Sequence, residues 1–363
     1  MNHTISNSLI YWITLSLAPQ IGSARIKKLL TQFETVEMIC KASSKQLTLF
    51  QLNALQINHI KNPDQTTLTA IVKWAEQENH FIIPFTDSRY PPLLLETVGH
   101  PAILYIQGDI TVLYQKQIAI VGSRNPTHTG LELATEFAGE LTQHDFCITS
   151  GLAMGIDTAS HTGALAQNGK TIAVLGSGLQ FIYPKRNEAL ATIISQQGCL
   201  ISELPLNTPP QAENFPKRNR IISGLSLGTL VIEAALRSGS LITAQFAAEQ
   251  NRDVFAIPGS IRNPLSKGCL ALIQQGAKCV TSVNDILIEF QSALFEKNSI
   301  SKQGDVQSLD CTSQQVLACI DDNVTTIDQI CARSKLSPQV VTSTLLPLEL
   351  DGVVKVRFGG YTK

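Results

Sequence analysis

The apolar positions of this chain change period twice. Over roughly the first eighty residues they recur at helical spacing, at Leu9, Ile13 and Leu17 and then at Ile26, Leu29, Leu30 and Phe33, which predicts a small all-α module. From His80 to Asp109 short extended runs are broken by Pro84, Pro91, Pro92 and Pro101 and close on Ile103-Leu104-Tyr105-Ile106 before a Gly108-Asp109 turn. A regular alternation follows. Short runs rich in Val and Ile at 118–121, 146–149, 171–175, 199–202, 229–233, 254–257 and 278–281 are separated, for the most part, by about ten to fifteen residues of helical pattern. Strands apolar on both faces that alternate with helices predict βαβ units and a parallel sheet covered by helices on both faces. Right-handed crossovers then bring every carboxyl end to one edge.

After residue 290 the periodicity stops, and 291–308, with Ser, Gln and Lys, is predicted to be a linker. The tail, 309–363, has helical pattern at 314–320, 326–334 and 337–350, with starts marked by Thr325-Thr326-Ile327-Asp328 and Ser337-Pro338, and an extended region over 353–358. Short helices followed by a β wing make a winged-helix arrangement. The expected organisation is therefore a helical domain over 1–80, an extended Rossmann-like α/β core over 81–290, the linker, and a winged-helix domain over 309–363. The turn Ile21-Gly22-Ser23-Ala24-Arg25 resembles a helix-hairpin-helix turn, which offers backbone N–H groups to phosphate, but it has one glycine where such hairpins usually have two. Packing alone also accounts for it.

Composition narrows the partners. Hydrophobic residues are 44% of the chain and charged residues 16%, against about 25% in a typical domain, which excludes a disordered chain and a wholly basic coat protein. With a net charge of −1, any nucleic-acid surface has to be a local cluster of Lys and Arg. No two of the eight cysteines form C-x-x-C, which removes the usual zinc and thiol-redox spacings and suits small buried thiols in a reducing compartment. The apolar stretch 9–19 lacks a basic start, contains Thr14 and Ser16, and is shorter than the roughly 20 residues a membrane span needs. The expectation is a cytoplasmic protein without membrane contact.

Small residues gather where strands end: Gly122-Ser123-Arg124, Ser150-Gly151, Gly176-Ser177-Gly178 and Pro258-Gly259-Ser260. In an open α/β sheet that edge is where ligands bind. At Gly122-Ser123-Arg124 the strand runs into a helix expected near Gly130, so free N–H groups and the positive helix end would meet an anion, with Arg124 as a bidentate phosphate donor. An ordinary βα turn is the plainer alternative. After Gly122 the next glycine is Gly130, so the dinucleotide fingerprint G-x-G-x-x-G is missing, as is a Walker A sequence; no cofactor is indicated. Gly224-Leu225-Ser226-Leu227-Gly228 matches G-x-S-x-G, but a strand follows the serine where the nucleophile elbow requires one before it. Asp157 and His161, four apart on a predicted helix, suit either an acid–base or metal pair or a hydrogen-bonded brace. The densest basic run is Asn214-Phe215-Pro216-Lys217-Arg218-Asn219-Arg220, read as a platform just before a helical Ile221-Ile222 whose cations attract phosphate and whose aromatic stacks a base, or as a solvated loop with Phe215 packed inward. Ser238-Gly239-Ser240 opens another helix, as a cap or as an anion seat.

Taken in order, Val121-Gly122-Ser123-Arg124, Ser150-Gly151-Leu152-Ala153-Met154-Gly155-Ile156-Asp157 with His161, Phe215-Pro216-Lys217-Arg218-Asn219-Arg220-Ile221-Ile222, Ser238-Gly239-Ser240-Leu241-Ile242-Thr243-Ala244 and Val254-Phe255-Ala256-Ile257-Pro258-Gly259-Ser260 closely resemble the DprA/Smf family of bacterial DNA-processing proteins. The resemblance implies a Rossmann-like core that binds single-stranded DNA without turnover, protects DNA taken up in natural transformation, helps load the recombinase RecA and works as a homodimer. By it, Gly122, Ser123 and Arg124 belong to a phosphate pocket and 215–220 to a positive rim, while Met154 stands where some members have Lys. The region around 261–273 is the expected dimer surface. A rival is the LOG type of nucleoside-monophosphate hydrolase, which carries P-G-G-x-G-T followed by a Glu. Here Gly228-Thr229 and Glu233 have no preceding glycine pair. A third possibility is DNA binding through Lys355 and Arg357 of the tail, balanced by nearby acids that suit a protein partner.

Overall fold

The computed structural model describes residues 7–290, 311–321, 324–350, 353–357 and 360–362; the predicted linker 291–308 lies outside the described residues. The chain forms two compact units, 1–285 and 286–363.

In the first unit, six helices come before the sheet: α1 (Asn7–Leu17), α2 (Ser23–Phe33), α3 (Val36–Lys41), α4 (Ser44–Leu49), α5 (Ala54–Lys61) and α6 (Gln65–Ala75). Their starts are set locally. Ser43 with Gln46 and Asn53 with Gln56 form capping boxes, and Thr35 and Asp64 cap α3 and α6, satisfying N–H groups that have no partner in a first helical turn. The apolar faces of these helices join the sheet's core: Trp12 meets Phe85 edge-on with ring centroids 5.2 Å apart, and Trp74 stacks on His80 at 4.3 Å.

The sheet has nine strands in the order β1-β2-β6-β5-β4-β3-β7-β8-β9. The strands are β1 (His80–Pro84), β2 (Ile103–Gly108), β3 (Lys116–Val121), β4 (Phe146–Ser150), β5 (Thr171–Val174), β6 (Cys199–Ser202), β7 (Gly228–Val231), β8 (Asp253–Ala256) and β9 (Lys278–Cys279). From β6 to β9 across the sheet every pairing is parallel, and these are the seven predicted strands. Strands β4 to β7 are buried along their whole length, as helices on both faces require. The helices are α7 (Pro92–Leu95), α8 (His128–Gln143), α9 (Ile156–Ala166), α10 (Glu188–Gln197), α11 (Asn214–Leu225), α12 (Gly239–Glu249), α13 (Lys267–Gln274) and α14 (283–290). What the pattern did not foretell is the antiparallel edge: β2 pairs with both β1 and β6 in that sense. Gly108, at φ 122°, makes the last of these pairings possible, since a Cβ there would lie 2.3 Å from the Gly198 carbonyl oxygen.

The second unit contains α15 (Cys311–Ala318), α16 (Ile327–Ser334), α17 (Pro338–Leu350) and a wing of β10 (Lys355–Arg357) paired with β11 (Gly360–Thr362). Its core is Val316, Ile320, Ile330, Val341, Leu345, Leu348 and Val354. The predicted starts are in place. Thr326 and Gln329 form a capping box, and Pro338 is the first residue of α17. Among the described residues no helix is long and apolar enough to cross a membrane.

Candidate nucleic-acid interface

From β3 the chain winds outward through β4 and β5 to β6, then returns through α11 to place β7 on the other side of β3. The crossovers leave β3 and β7 in opposite directions, so their carboxyl ends open a crevice, the topological switch point at which such sheets bind ligands. A cavity of about 670 Å³ lies there, lined by Gly122, Ser123 and Arg124 after β3, by Phe215, Arg218 and Asn219 of α11, and by Arg237, Ser238, Gly239 and Ser240 at the start of α12. Three segments far apart in sequence thus line one cavity.

The basic run does not precede the helix but lies within it. Helix α11 begins at Asn214, with Pro216 tolerated in its first turn, and the 100° step per residue sends neighbouring cations in different directions. Lys217 is exposed. Arg220 pairs with Glu203 at 2.5 Å. Arg218 is turned inward and buried, with Nη1 donating to the carbonyls of Gly151, at 2.8 Å, and Val174, and Nε to Asn219 Oδ1. Burial lowers its pKa to about 10, against the pull of Asp157. Asp157 is buried as well and accepts from the N–H groups of Gly151 and Ala153 at 3.1 and 3.2 Å; burial pushes its carboxyl up while Arg218 holds it down. Glycine at 151 leaves room for this pair, because a Cβ would stand 2.5 Å from Arg218 Nη2 and displace the guanidinium. Ser150 is buried and its hydroxyl donates to the Ile120 carbonyl at 2.6 Å. Ser150, Gly151 and Arg218 therefore spend most of their polar groups inside the protein.

Asp157 and His161 take separate partners. The His161 ring bonds to Thr171 Oγ1 at 2.7 Å, and burial, then Arg218, pushes its pKa down to about 3. Among the described residues no group of three His, Cys, Asp or Glu side chains can hold a metal ion.

At the mouth of the cavity the Arg124 guanidinium lies 5.8 Å from the centroid of the half-buried Phe215 ring. Gly176 makes room for that ring, since its Cβ would be 2.6 Å from Phe215 Cδ1. On the far lip Ser238 caps α12, accepting from Ser240 N–H at 3.3 Å and sharing a 2.6 Å hydroxyl bond with Ser240. Gly239 is exposed with open space above it.

The free helix start expected near Gly130 is already occupied. Helix α8 begins at His128, Thr127 is its cap, and Thr127 is bonded through both N–H and hydroxyl to the Glu233 carboxylate. The strand predicted over 229–233 ends at Val231, which leaves Glu233 in the loop that makes this contact.

The model of the family DNA recombination-mediator protein A matches residues 81–291, and that of the DprA winged helix domain matches residues 301–360. The chain belongs to the DprA/Smf family. Protein Smf of Escherichia coli (strain K12) is 46% identical over 297 residues, covering 80% of this chain and 79% of that one. The X-ray structure of DNA processing protein A from Streptococcus pneumoniae matches with a TM-score of 0.68 at 38% identity, over 78% of this chain and 98% of that one. DNA processing protein A from Helicobacter pylori, described for its single-stranded DNA binding mode, matches with a TM-score of 0.54 at 27% identity, over 59% of this chain and 96% of that one.

Two features of this DprA-family site escaped the sequence reading. Tyr183 lines the cavity and its ring stands 5.4 Å from Phe215, while Phe181, Lys185 and Arg186 beside it are exposed. The signal was present: Tyr183-Pro184-Lys185-Arg186-Asn187 echoes Phe215-Pro216-Lys217-Arg218-Asn219. Arg237, exposed and lining the same cavity, stands directly before Ser238-Gly239-Ser240, where its charge was not counted toward the anion seat.

Proposed function

We propose that this DprA-family chain binds single-stranded DNA, without sequence preference and without turnover, along the cavity at the β3/β7 switch point. The observation that carries this reading is the Arg124–Phe215–Tyr183 cluster, in which the guanidinium lies over the Phe215 ring and the Tyr183 ring is tilted against it, in the cavity that Arg237 and the start of α12 also line. Aromatic faces accept any base and cations accept any phosphate, so such a surface tracks a strand without reading base edges. The exposed Lys217, Lys185 and Arg186 follow Phe215 and Tyr183 closely in sequence and add to the positive charge beside them, and the ssDNA-binding Helicobacter pylori relative shares this fold. Through the family resemblance the same reading extends to protection of incoming DNA, RecA loading, a homodimer and a cytoplasmic location.

Fluorescence anisotropy of a labelled oligonucleotide, single-stranded against duplex, tests it with the wild type and Arg124→Ala/Lys217→Ala at several salt concentrations. Expected is strand-selective binding that the double variant loses, with a log–log salt slope of about −0.7 per phosphate neutralised. Equal binding by both proteins overturns the placement of the site. Release of base from nucleoside monophosphates, with no DNA binding, would replace the reading by the LOG-like hydrolase.

A further inference from the structure

Glu233 is buried behind the cavity, 8% exposed, and is not part of its lining. Its Oε2 accepts from the Thr127 N–H at 2.9 Å and its Oε1 from the Thr127 hydroxyl at 2.6 Å, while its main-chain carbonyl accepts from Ser123 N–H at 2.7 Å. Thr127 Oγ1 in turn accepts from Gly130 N–H at 3.0 Å. In a capping box the residue three places after the cap supplies the side chain that reaches back to the cap's N–H. Here that place is Gly130. A Cβ on Gly130 would stand 2.6 Å from Glu233 Cδ, so the missing side chain leaves the space that Glu233 fills from the other side of the switch point. The box is completed by a residue 106 positions away.

In doubly wound folds the start of the helix after the strand at the switch point is where a nucleotide's phosphate sits, held by N–H groups and the positive end of the helix. We propose that Glu233 is a specificity-determining residue whose carboxylate stands in for that phosphate and excludes inorganic phosphate and free mononucleotides from the α8 start. Anions are then taken only on the Arg124, Arg237 and α12 side of the crevice, where a polynucleotide gains from several phosphates at once. The consequence for DNA selectivity rests on the function proposed above; the occupancy of the helix start does not.

Equilibrium dialysis with orthophosphate and with adenosine monophosphate, on the full chain, decides it. The wild type and Glu233→Gln, which keeps the space filled, should bind neither. Glu233→Ala should bind both, and its thermal midpoint should rise with phosphate, the folded-to-unfolded ratio growing about tenfold when phosphate is present at about ten times its dissociation constant. If Glu233→Ala does not unfold cooperatively, Glu233→Ser carries the same expectation, and the wild-type dialysis stands by itself. Binding of phosphate to the wild type that persists in Arg124→Ala/Arg237→Ala overturns the proposal, as does a folded Ala or Ser variant that binds none. A gain in Glu233→Gln equal to that in Glu233→Ala also overturns it, because occupancy would then not be what excludes the anion. Oligonucleotide anisotropy of the wild type is read in parallel. Its failure removes the DNA function and leaves the phosphate result to decide the role of Glu233.

Discussion

Residues 183–187 and 215–219 carry nearly the same sequence, an aromatic followed by Pro-Lys-Arg-Asn, and divide the work in opposite ways. In the first, a 3-10 turn over Lys185–Asn187 leaves Lys185 and Arg186 exposed and buries Asn187, whose amide donates to the Leu152 carbonyl and to Thr158 Oγ1, each at 2.9 Å. In the second, α11 leaves Lys217 exposed, buries Arg218 on the Gly151 carbonyl and keeps Asn219 partly exposed. The buried member of each copy braces the same loop, one at Gly151 and the other at Leu152, and the two aromatic rings meet at the cavity mouth. The pair shows that a basic motif does not say which of its cations faces solvent. The backbone carrying it decides that.

The strongest way to break this comparison is to truncate the two arginines. Arg218→Met should cost about 3–5 kcal/mol in urea unfolding, because it leaves Asp157 buried without its counter-charge, whereas Arg186→Met should stay within about 0.5 kcal/mol. Similar losses at both sites would mean that the copies are equivalent.

The buried charge also reaches His161. Its imidazole stays neutral in the folded protein down to about 3 but takes a proton near the ordinary value of 6.5 once unfolded. Between those values the unfolded state binds more protons, so stability is complete above about 6.5 and falls as pH drops toward 3, by at most about 1.4 kcal/mol per pH unit. Urea midpoints across this range should decline less steeply for His161→Gln than for the wild type. Parallel declines would remove His161 from the account.

A smaller contrast is expected at the asparagines. Asn187→Ala strands the buried Leu152 carbonyl and should cost about 1–3 kcal/mol in the same unfolding measurement. Asn219→Ala, at a partly exposed position, should cost less than about 1 kcal/mol. The smallest effect on stability, within about 0.5 kcal/mol, belongs to Lys217→Ala and Lys185→Ala, yet each should flatten the oligonucleotide salt slope by about 0.7 if it meets one phosphate. An unchanged slope places that lysine away from the strand.

Much of the fold was legible because its signals are local. The runs at 146–149 and 171–175 are apolar on both faces, which only a covered parallel strand requires, and Thr326 with Gln329 and Ser337 with Pro338 mark helix starts through bonds and φ values confined to a few residues. The edge strand β2 was harder to place, since its antiparallel pairing with β6 depends on Gly108 passing the Gly198 carbonyl, ninety positions away. Helix α11 was expected only from Ile221, because Pro216 and a polar, charged start mask the helical pattern of its first two turns, ahead of the apolar face at Ile221, Ile222 and Leu225.

The chain's own pattern determined the parallel strands, the edge where they end, the glycines and cations gathered there and the family motifs. Each of these rests on periodicity or on residues adjacent in sequence. Tertiary structure alone decided that Arg218 is a brace and Lys217 a surface cation, that Tyr183 joins Phe215, and that the start of α8 is closed by Glu233. These depend on which groups fold into contact, and on the cost of burying a charge or an N–H group without a partner, a cost set by the assembled protein around them.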